Sequence, residues 1–391
     1  MNRRAFLRFA AGASVLPGSM LPTSPVAWAA APTVARYGNL LVLIELKGGN
    51  DGLNTLVPYA NPAYYALRPK LAIARDQVVQ LSDAAGLHPA LEPLLPLWKN
   101  RELAVLQGVG YPEPNLSHFR SIEIWDTASK SAEYLQDGWL TRTFAAAPTP
   151  AYFAADGVIV GSPELGPLVG AGTRAIALAN TEQFLRQARL AIPEGNARNR
   201  ALQHILKVEA DIVQAASHLT ADHAFTTEFP QGGFGNAIKT ACQVIANRAG
   251  VAVVRVTLSG FDTHSGQPGT QARLLGELSG GVVALKSALT ELDRWNDTLV
   301  LTYAEFGRRP KENLSNGTDH GTASVHFALG GRVAGGLYGE QPSLDCLTAD
   351  GNTGYAIDFR SVYATVLDRW WGVSSPGPLG GKFAPLQILR A

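Results

Sequence analysis

The chain has 391 residues, a formal net charge of +1 and 46% hydrophobic residues. This length suits one large α/β domain or two smaller ones. The near-zero charge gives no electrostatic basis for binding nucleic acid, so we expect no nucleic-acid partner.

The N-terminal segment has the features of an export signal. Arg3 and Arg4 form a twin-arginine pair, an apolar segment follows at residues 9–16, and an A-x-A cleavage site ends at Ala29. These features predict a Tat signal peptide over residues 1–29, recognised by the Tat translocase. An ordinary Sec signal or a membrane anchor is the alternative, but no apolar run in the sequence is long enough to span a bilayer.

The export signal predicts a periplasmic or secreted protein with no stable membrane anchor. Residues 30–391 are then expected to form a single α/β domain. The chain has two cysteines, Cys242 and Cys346. They either pair in an oxidising compartment or remain free thiols in the interior, and the sequence leaves both alternatives open.

The first predicted strand covers residues 40–46, a continuous run of apolar residues broken only by Glu45. Such a run is typical of a strand buried on both faces of a sheet. Gly48 and Gly49 predict a sharp turn directly after it. Asp51 follows that turn, so its carboxylate is expected at the C-terminal strand end, where open α/β sheets bind their ligands.

Helices and strands alternate through the rest of the chain. Strands are predicted over residues 103–109, 251–258, 298–302 and 325–329, and short strands and loops at the sheet edge over 145–180. Helices are predicted over residues 61–71, 89–98, 117–128, 181–190, 196–219, 234–249, 273–295 and 358–371. This alternation indicates parallel βαβ units and therefore an α/β fold with a mostly parallel central sheet.

Ser117 opens the helix predicted at residues 117–128, after a loop rich in proline. Free backbone N–H groups at a helix N-terminus favour an anion, which makes the Ser117 hydroxyl a candidate nucleophile. The alternative is that Ser117 only caps the helix.

Acidic and histidine residues follow several of the predicted strands or glycine-rich turns. They form four groups along the chain, which are Asp51, Asp262 with His264, Glu305, and Asp319 with His320. These side chains are oxygen and nitrogen ligands for divalent metals, so we predict a site for one or two ions, among which Zn, Mn, Mg and Ca are not distinguished. Two ions about 3.5–4 Å apart would clamp the attacking and leaving oxygens of an ester.

Five motifs in this sequence resemble a bacterial domain-of-unknown-function family, number fifteen hundred and one, whose members are typically Tat-exported. The motifs are Gly48-Gly49-Asn50-Asp51-Gly52-Leu53-Asn54, Ser117-His118-Phe119-Arg120, Gly260-Phe261-Asp262-Thr263-His264, Glu305-Phe306-Gly307-Arg308 and Thr318-Asp319-His320-Gly321. That family in turn resembles the alkaline phosphatase and sulfatase superfamily. The resemblance covers the chain from about residue 38 onward and implies an alkaline-phosphatase-like, three-layer α/β/α sandwich.

The resemblance also implies roles for individual residues. Ser117 would be the nucleophile toward a small anionic ester. Two metal ions would be bound by residues at the strand ends, with Asp262, His264 and His320 for one ion and Asp51 and Glu305 for the other.

Phe306 departs from the superfamily pattern, which usually has Asp-His-Gly where this chain has Glu-Phe-Gly. Either the second ion is bound more weakly, or His118 replaces the missing imidazole, or the site has lost its catalytic function. Arg120 and Arg308 either bind an anionic group or form surface ion pairs.

Two functions therefore remain open at this point. One is an exported metal-dependent hydrolase of phosphate or sulfate esters. The other is a non-catalytic periplasmic binding or assembly protein with a degraded metal site on the same scaffold.

Overall fold

A mostly parallel sheet of nine strands lies at the centre of the computed structural model, which describes residues 35–178, 223–247 and 250–390. The described strands, including those of two smaller sheets, are β1 (Leu40–Lys47), β2 (Leu56–Val57), β3 (Val79–Gln80), β4 (Gly86–Leu87), β5 (Leu103–Gly110), β6 (Ala155–Val160), β7 (Ala175–Leu178), β8 (Val251–Ser259), β9 (Thr298–Tyr303), β10 (Gly307–Arg308), β11 (His320–Gly321), β12 (Ser324–Leu329), β13 (Gly336–Tyr338) and β14 (Ile357–Asp358).

The central sheet has the strand order β13-β5-β12-β9-β1-β8-β6-β7, and β14 also pairs with β5. β1 is at its centre and pairs in parallel with β8 on one side and β9 on the other. β12 is the exception, because it pairs antiparallel with both β5 and β9. The small sheets are formed by β10 with β11 and by β2, β4 and β3.

Helices pack on both faces of this sheet. The described α-helices are α1 (Gly52–Thr55), α2 (Pro62–Leu67), α3 (Leu95–Lys99), α4 (His118–Thr127), α5 (Trp139–Ala146), α6 (Gly233–Ala246), α7 (Gln267–Glu291), α8 (Phe359–Ala364) and α9 (Pro376–Leu379). Short 3₁₀ helices cover Pro89–Leu94, Gly166–Leu168 and Trp295–Asp297, and a π-helical turn covers Thr365–Trp371.

Side chains of β1 alternate between two hydrophobic cores, as the twofold period of a strand requires. Val42 and Ile44 belong to the core that contains α6 and α7. Leu41 and Leu43 belong to the core on the other face, which contains α4, α5 and the C-terminal helices. Each of these buried side chains stabilises the fold by about 1.5–3 kcal/mol. The two cores confirm the predicted α/β/α layering.

Every strand predicted from an apolar run is present, and the mostly parallel sheet is confirmed. Residues 145–180 were expected to form short strands and loops at the sheet edge, and the structure gives β6 and β7 there, with β7 as the edge strand and β6 paired on both sides. The helix predicted at residues 89–98 is divided into a 3₁₀ helix and α3, because Pro93 and Pro96 each lack a backbone donor.

Some predictions lie outside the described residues, namely the signal peptide over residues 1–29 and the helices over 181–190 and 196–219. The described residues belong to one unit, Val34–Ala391, and a single domain over residues 30–391 stays a prediction. Across the described part of the chain, none of the helices has the length and hydropathy required to cross a bilayer. Cys242 and Cys346 are both free, and Cys346 is exposed.

Candidate metal centre

The turn after β1 brings the loops that follow β8 and β9 together. Gly48 and Gly49 both have positive φ angles, of 116° and 82°. A Cβ atom at Gly48 would lie 2.4 Å from the backbone nitrogen of Asp262, and one at Gly49 would lie 2.5 Å from the Phe306 ring. Only glycine permits both the backbone conformation and the close approach, so this turn fixes where Asp262 and Phe306 lie.

Three imidazoles surround the Asp262 carboxylate. The Nε2 atoms of His264 and His320 lie 3.1 Å and 3.2 Å from Asp262 Oδ1. The Nε2 atom of His118 lies 3.4 Å from Asp262 Oδ2. His264 Nε2 and His320 Nε2 are themselves only 2.9 Å apart. Potential ligand atoms from three separate segments therefore surround one carboxylate.

The other nitrogen of each imidazole faces an oxygen acceptor. His118 Nδ1 is 2.8 Å from Glu305 Oε1, and His320 Nδ1 donates to the Leu116 carbonyl at 2.8 Å. His264 Nδ1 is 3.3 Å from Asp319 Oδ1. A neutral imidazole that donates from Nδ1 carries its lone pair on Nε2. Histidines that bind metals are oriented by outer contacts of this kind.

The spacing of the ligand atoms of His118, Asp262 and His320 fits a single divalent ion. Four nitrogen or oxygen ligands placed tetrahedrally about 2.1 Å from an ion lie roughly 3.4 Å from one another. The three Nε2 atoms lie 3.1–3.4 Å from the Asp262 oxygens, and the ligand atoms of His118, Asp262 and His320 all lie within 4.8 Å of one another. A cation among them would also relieve the repulsion between two imidazole lone pairs that face each other.

Arg308 is buried beneath this group and holds Asp262 in place. Its guanidinium donates to Asp262 Oδ1 at 2.6 Å and to the carbonyls of Gly49, Phe261 and Thr318 at 2.8–3.0 Å. With no exposed side-chain surface, Arg308 binds the protein itself rather than a substrate anion.

The pKa values of the three central groups follow from these contacts. Partial burial raises the pKa of Asp262, but the hydrogen bond and charge of Arg308, with His320 and His118, outweigh it and set this pKa to about 2. The hydrogen bond to Glu305 raises the pKa of His118, whereas burial lowers the pKa of His320. Asp262 is therefore a charged carboxylate at neutral pH, as a metal ligand must be.

Glu305 lies just after the end of β9 and contacts the metal group through His118. It is 2% exposed, and its Oε1 atom accepts a hydrogen bond from the Gly48 N–H at 2.9 Å as well as contacting His118. Its Oε2 atom is buried and has no hydrogen-bond partner in the described part of the chain. Since a buried carboxylate oxygen is costly without a partner, this atom is available to a bound cation or donor.

The structure does not bring Asp51 into the group. Both of its oxygens are engaged by Arg68, at 2.6 Å and 3.0 Å, and Oδ1 also accepts from the Leu53 N–H. Arg68 and Asp51 are both fully buried, and Asp51 caps α1. Sequence reasoning missed Arg68, since nothing in its local pattern marks it as the partner of a carboxylate.

Ser117 and Arg120 have different environments although they are three residues apart. Ser117 is the exposed N-cap residue of α4, and its hydroxyl makes no capping hydrogen bond. Its chain neighbours are Leu116 and His118, which both contact the metal group. Arg120 has its partners outside the metal group: it donates to the carbonyls of the loop at residues 130–133 and pairs with Glu123 at 3.0 Å.

Phe306 forms an aromatic wall beside the imidazoles. Its ring centroid lies 4.4 Å from that of His320 and 4.8 Å from that of His118. Phe306 therefore occupies the position where the superfamily pattern has a histidine. Its ring packs beside two of the candidate ligands, His118 and His320. A phenyl ring has no atom that can bind a metal.

Several solved structures are similar to this chain at low sequence identity. The lipoteichoic acid synthase LtaP from Listeria monocytogenes is 9% identical, over 88% of this chain and 75% of that chain, with a TM-score of 0.37. The alkaline phosphatase from the Antarctic bacterium TAB5 is 12% identical, over 77% and 94%, with a TM-score of 0.34. The C-terminal periplasmic domain of EcEptC from Escherichia coli, in complex with Zn, is 11% identical, over 76% and 74%, with a TM-score of 0.34.

No curated protein matches this sequence. A family match, by contrast, covers most of the chain and includes every residue of the metal group. Residues 98–379 match the family described as "Protein of unknown function (DUF1501)", and the chain belongs to that family.

Proposed function

We propose that this protein is an exported metal-dependent hydrolase of phosphate or sulfate esters. The observation that supports it best is the convergence of three Nε2 atoms on the Asp262 carboxylate, with each Nδ1 atom facing an acceptor. This arrangement presents His118, Asp262 and His320 as the ligands of one ion, with His264 in contact with two of them. A ligand set with imidazoles beside one carboxylate favours zinc over magnesium or calcium.

When bound, a divalent ion at this position would polarise the ester and lower the pKa of a neighbouring hydroxyl. We assign the nucleophile to Ser117, whose hydroxyl is exposed and free of capping contacts. The serine oxygen forms a bond to phosphorus or sulfur while the bond to the alcohol oxygen breaks. The alcohol leaves with a proton, and water then hydrolyses the serine ester and restores the hydroxyl.

A screen of phosphate and sulfate monoesters with Zn, Mn, Mg and Ca tests this proposal. We expect one tightly bound metal equivalent in protein purified without added metal, and turnover that a chelator abolishes and zinc restores. The Asp262→Asn variant should lose both the metal and the activity. Full activity in the metal-free protein would contradict the proposal.

A non-catalytic binding or assembly protein is the second candidate. It is favoured by the pairing of Asp51 with Arg68 and by Phe306, since together they leave ligands for one ion where the superfamily pattern has two. The two candidates differ in one measurement. A protein that binds one metal equivalent and turns over none of the esters, with or without Ser117, would be the binding protein.

We also propose export through the Tat pathway, on the basis of Arg3, Arg4 and the cleavage site at Ala29. Replacing both arginines by lysine should retain the protein in the cytoplasm, as measured by cell fractionation. Normal export of that variant would contradict the Tat signal.

A further inference from the structure

A cleft of about 520 Å³ extends away from the candidate metal centre along α4. His118, the first residue of α4, lines it together with Asp262 and Glu305. Asp126 also lines it and lies eight residues further along the same helix. At 1.5 Å per residue, the cleft therefore follows the helix for about 12 Å.

The wall of the cleft between these ends is apolar. Phe119 and Ile122 lie on α4 between His118 and Asp126, and both line the cleft. Phe119 is 89% exposed, so its ring presents apolar surface to a ligand in the cleft. The part of a bound ligand that extends from the metal centre into the cleft would therefore first contact the hydrocarbon side chains of Phe119 and Ile122.

Most charges at the far end of the cleft have a partner within the protein. Glu45 and Arg255 form an ion pair at 2.6 Å, and Arg255 also donates to the Tyr303 hydroxyl at 2.7 Å. Glu164 and Lys47 form a second ion pair at 2.6 Å. These four charged groups balance one another and leave no net charge.

The carboxyl group of Asp126 is the exception. Its Oδ1 atom is buried and has no hydrogen-bond partner in the parts of the chain that are described. Glu305 lines the same cleft and is only 2% exposed. Its Oε2 atom also has no hydrogen-bond partner among the described residues. Burial raises the pKa of Asp126 to about 8, against the opposing charge of Arg255. The cleft thus has unsatisfied acceptors and no unsatisfied cation.

We infer that this cleft binds the alcohol portion of the ester as an extended aliphatic chain ending in a primary ammonium group, with Asp126 as the partner of the ammonium. This inference rests on the proposed hydrolase function and adds its substrate class. An ammonium group brings three donors and a positive charge, and that charge favours release of the Asp126 proton, so that a carboxylate and an ammonium pair in the cleft. A chain ending in a carboxylate would bring a second acidic group to Asp126 and find no unpaired cation in the cleft, since Arg255 and Lys47 are already paired, so it is excluded.

Binding of the released alcohol tests the inference without requiring turnover. The probes are 6-aminohexan-1-ol, hexan-1-ol and 6-hydroxyhexanoate, titrated by calorimetry into the zinc-loaded protein. We expect the amino alcohol to bind at least tenfold more tightly than either of the other two. Equal binding of the amino alcohol and hexan-1-ol would overturn the inference.

Variants then locate the preference within the cleft. Asp126→Asn should reduce the preference for the amino alcohol to less than threefold. Glu123→Gln is the matched control, since Glu123 lies on the same helix, pairs with Arg120 and does not line the cleft, and it should keep the full preference. Phe119→Ala should weaken all three probes alike. An Asp126→Asn variant that keeps the preference would overturn the assignment.

The outcome is separable from that of the proposed function. If no ester is hydrolysed but the amino alcohol is preferred and Asp126→Asn removes this preference, the hydrolase proposal fails and the ammonium site stands. If esters are hydrolysed with no preference for the amino group, the hydrolase stands and the ammonium site fails. If the Asp126→Asn variant does not fold, the probe series with wild-type protein still decides.

Discussion

Two aspartates that follow strands of the central sheet have opposite environments. Asp51 is buried in an ion pair with Arg68, whereas Asp262 is exposed to solvent on one side and surrounded by imidazoles. Both oxygens of Asp51 already accept hydrogen bonds within the protein, so they are not available to a metal ion. We therefore propose Asp262 as a metal ligand and remove Asp51 from the ligand set.

This distinction predicts different results for the two asparagine variants. Asp51→Asn should retain one metal equivalent in the folded protein while losing about 3–5 kcal/mol of stability, because Arg68 is left as an unpaired buried charge. Asp262→Asn should lose the metal with a smaller loss of stability, since Arg308 keeps its backbone acceptors. Metal analysis of the gel-filtered protein and urea unfolding measure the two effects. Loss of metal from folded Asp51→Asn would return Asp51 to the ligand set.

Ser117 gives a second prediction for a single residue. Ser117→Ala should abolish ester turnover and leave metal content unchanged. The loss of stability should be well below the roughly 1 kcal/mol typical of a lost N-cap, because the Ser117 hydroxyl makes no capping bond. Ser315→Ala, at another exposed serine, is the control for the substitution itself. A Ser117→Ala variant with wild-type turnover would exclude Ser117 as the nucleophile.

Among the structural elements, the turn between β1 and α1 contributes most to the geometry of the site. Its two glycines let the chain pass against the backbone of Asp262 and the ring of Phe306. Because the same turn presents the Gly48 N–H to Glu305, it connects the end of β1 to the carboxylate that orients His118.

A Gly48→Ala substitution should therefore damage the site as well as the fold. The new Cβ would lie 2.4 Å from the Asp262 nitrogen, so the loop after β8 must move. Gly172→Ala is the matched control, since Gly172 also has a positive φ angle, of 92°, but has no atom within 4 Å of an added Cβ. The control should cost about 1–2 kcal/mol from backbone strain alone. Gly48→Ala should cost more and weaken zinc binding at least tenfold, measured by competition with a chelator. Equal effects of the two substitutions would contradict this role.

The central strands could be predicted from the sequence because burial on both faces produces continuous apolar runs. β1, β5, β8 and β9 all have that pattern, and each lies within one or two residues of its predicted bounds. The antiparallel direction of β12 could not be predicted, since an apolar run carries no information on the direction of pairing. Strands β6 and β7 were less distinct because glycine and alanine dilute their apolar pattern.

The site is formed by residues that are distant in sequence, so predicting it required knowing which segments lie together in the fold. The grouping of Asp262, His264 and His320 follows from strand ends that meet at one edge of a sheet. The role of Arg308 as a support for Asp262 depends on backbone carbonyls from three separate segments, and no local pattern shows this. The cleft was missed for the same reason, because Asp126 and Arg255 are individually ordinary charged residues within a helix and a strand.

For the molecule as a whole, two titratable groups away from the metal ligands, the partly buried Asp126 and the buried His326, influence stability in opposite directions. Burial raises the pKa of Asp126 from 3.8 to about 8, so the folded protein retains a proton that the unfolded chain releases. Burial lowers the pKa of His326 in β12 from 6.5 to about 3, so the unfolded chain binds a proton that the folded protein excludes. Asp126 therefore reduces stability as pH rises from 3.8 to 8, and His326 reduces it as pH falls from 6.5 to 3.

The two effects oppose each other between pH 3.8 and 6.5, and only that of Asp126 acts between 6.5 and 8. Each contributes about 1.4 kcal/mol per pH unit in its own window. Asp126→Asn should accordingly gain about 2 kcal/mol of stability relative to wild type between pH 6.5 and 8. His326→Leu should remove the loss at acid pH, whatever its effect on absolute stability.

Urea unfolding of wild type and both variants at half-unit steps from pH 4 to 8.5 measures these slopes. Comparing each variant with wild type cancels the contributions of all other titrating groups that the substitution leaves in place. The variant-minus-wild-type difference in unfolding free energy decides the question. For an ordinary exposed aspartate this difference would not change with pH between 6.5 and 8. A flat difference for Asp126→Asn in that window would show that Asp126 is ionised in the folded protein. The Asp126 carboxylate would then already have a cation or water molecules as partners, and its Oδ1 atom would not be free to bind a ligand.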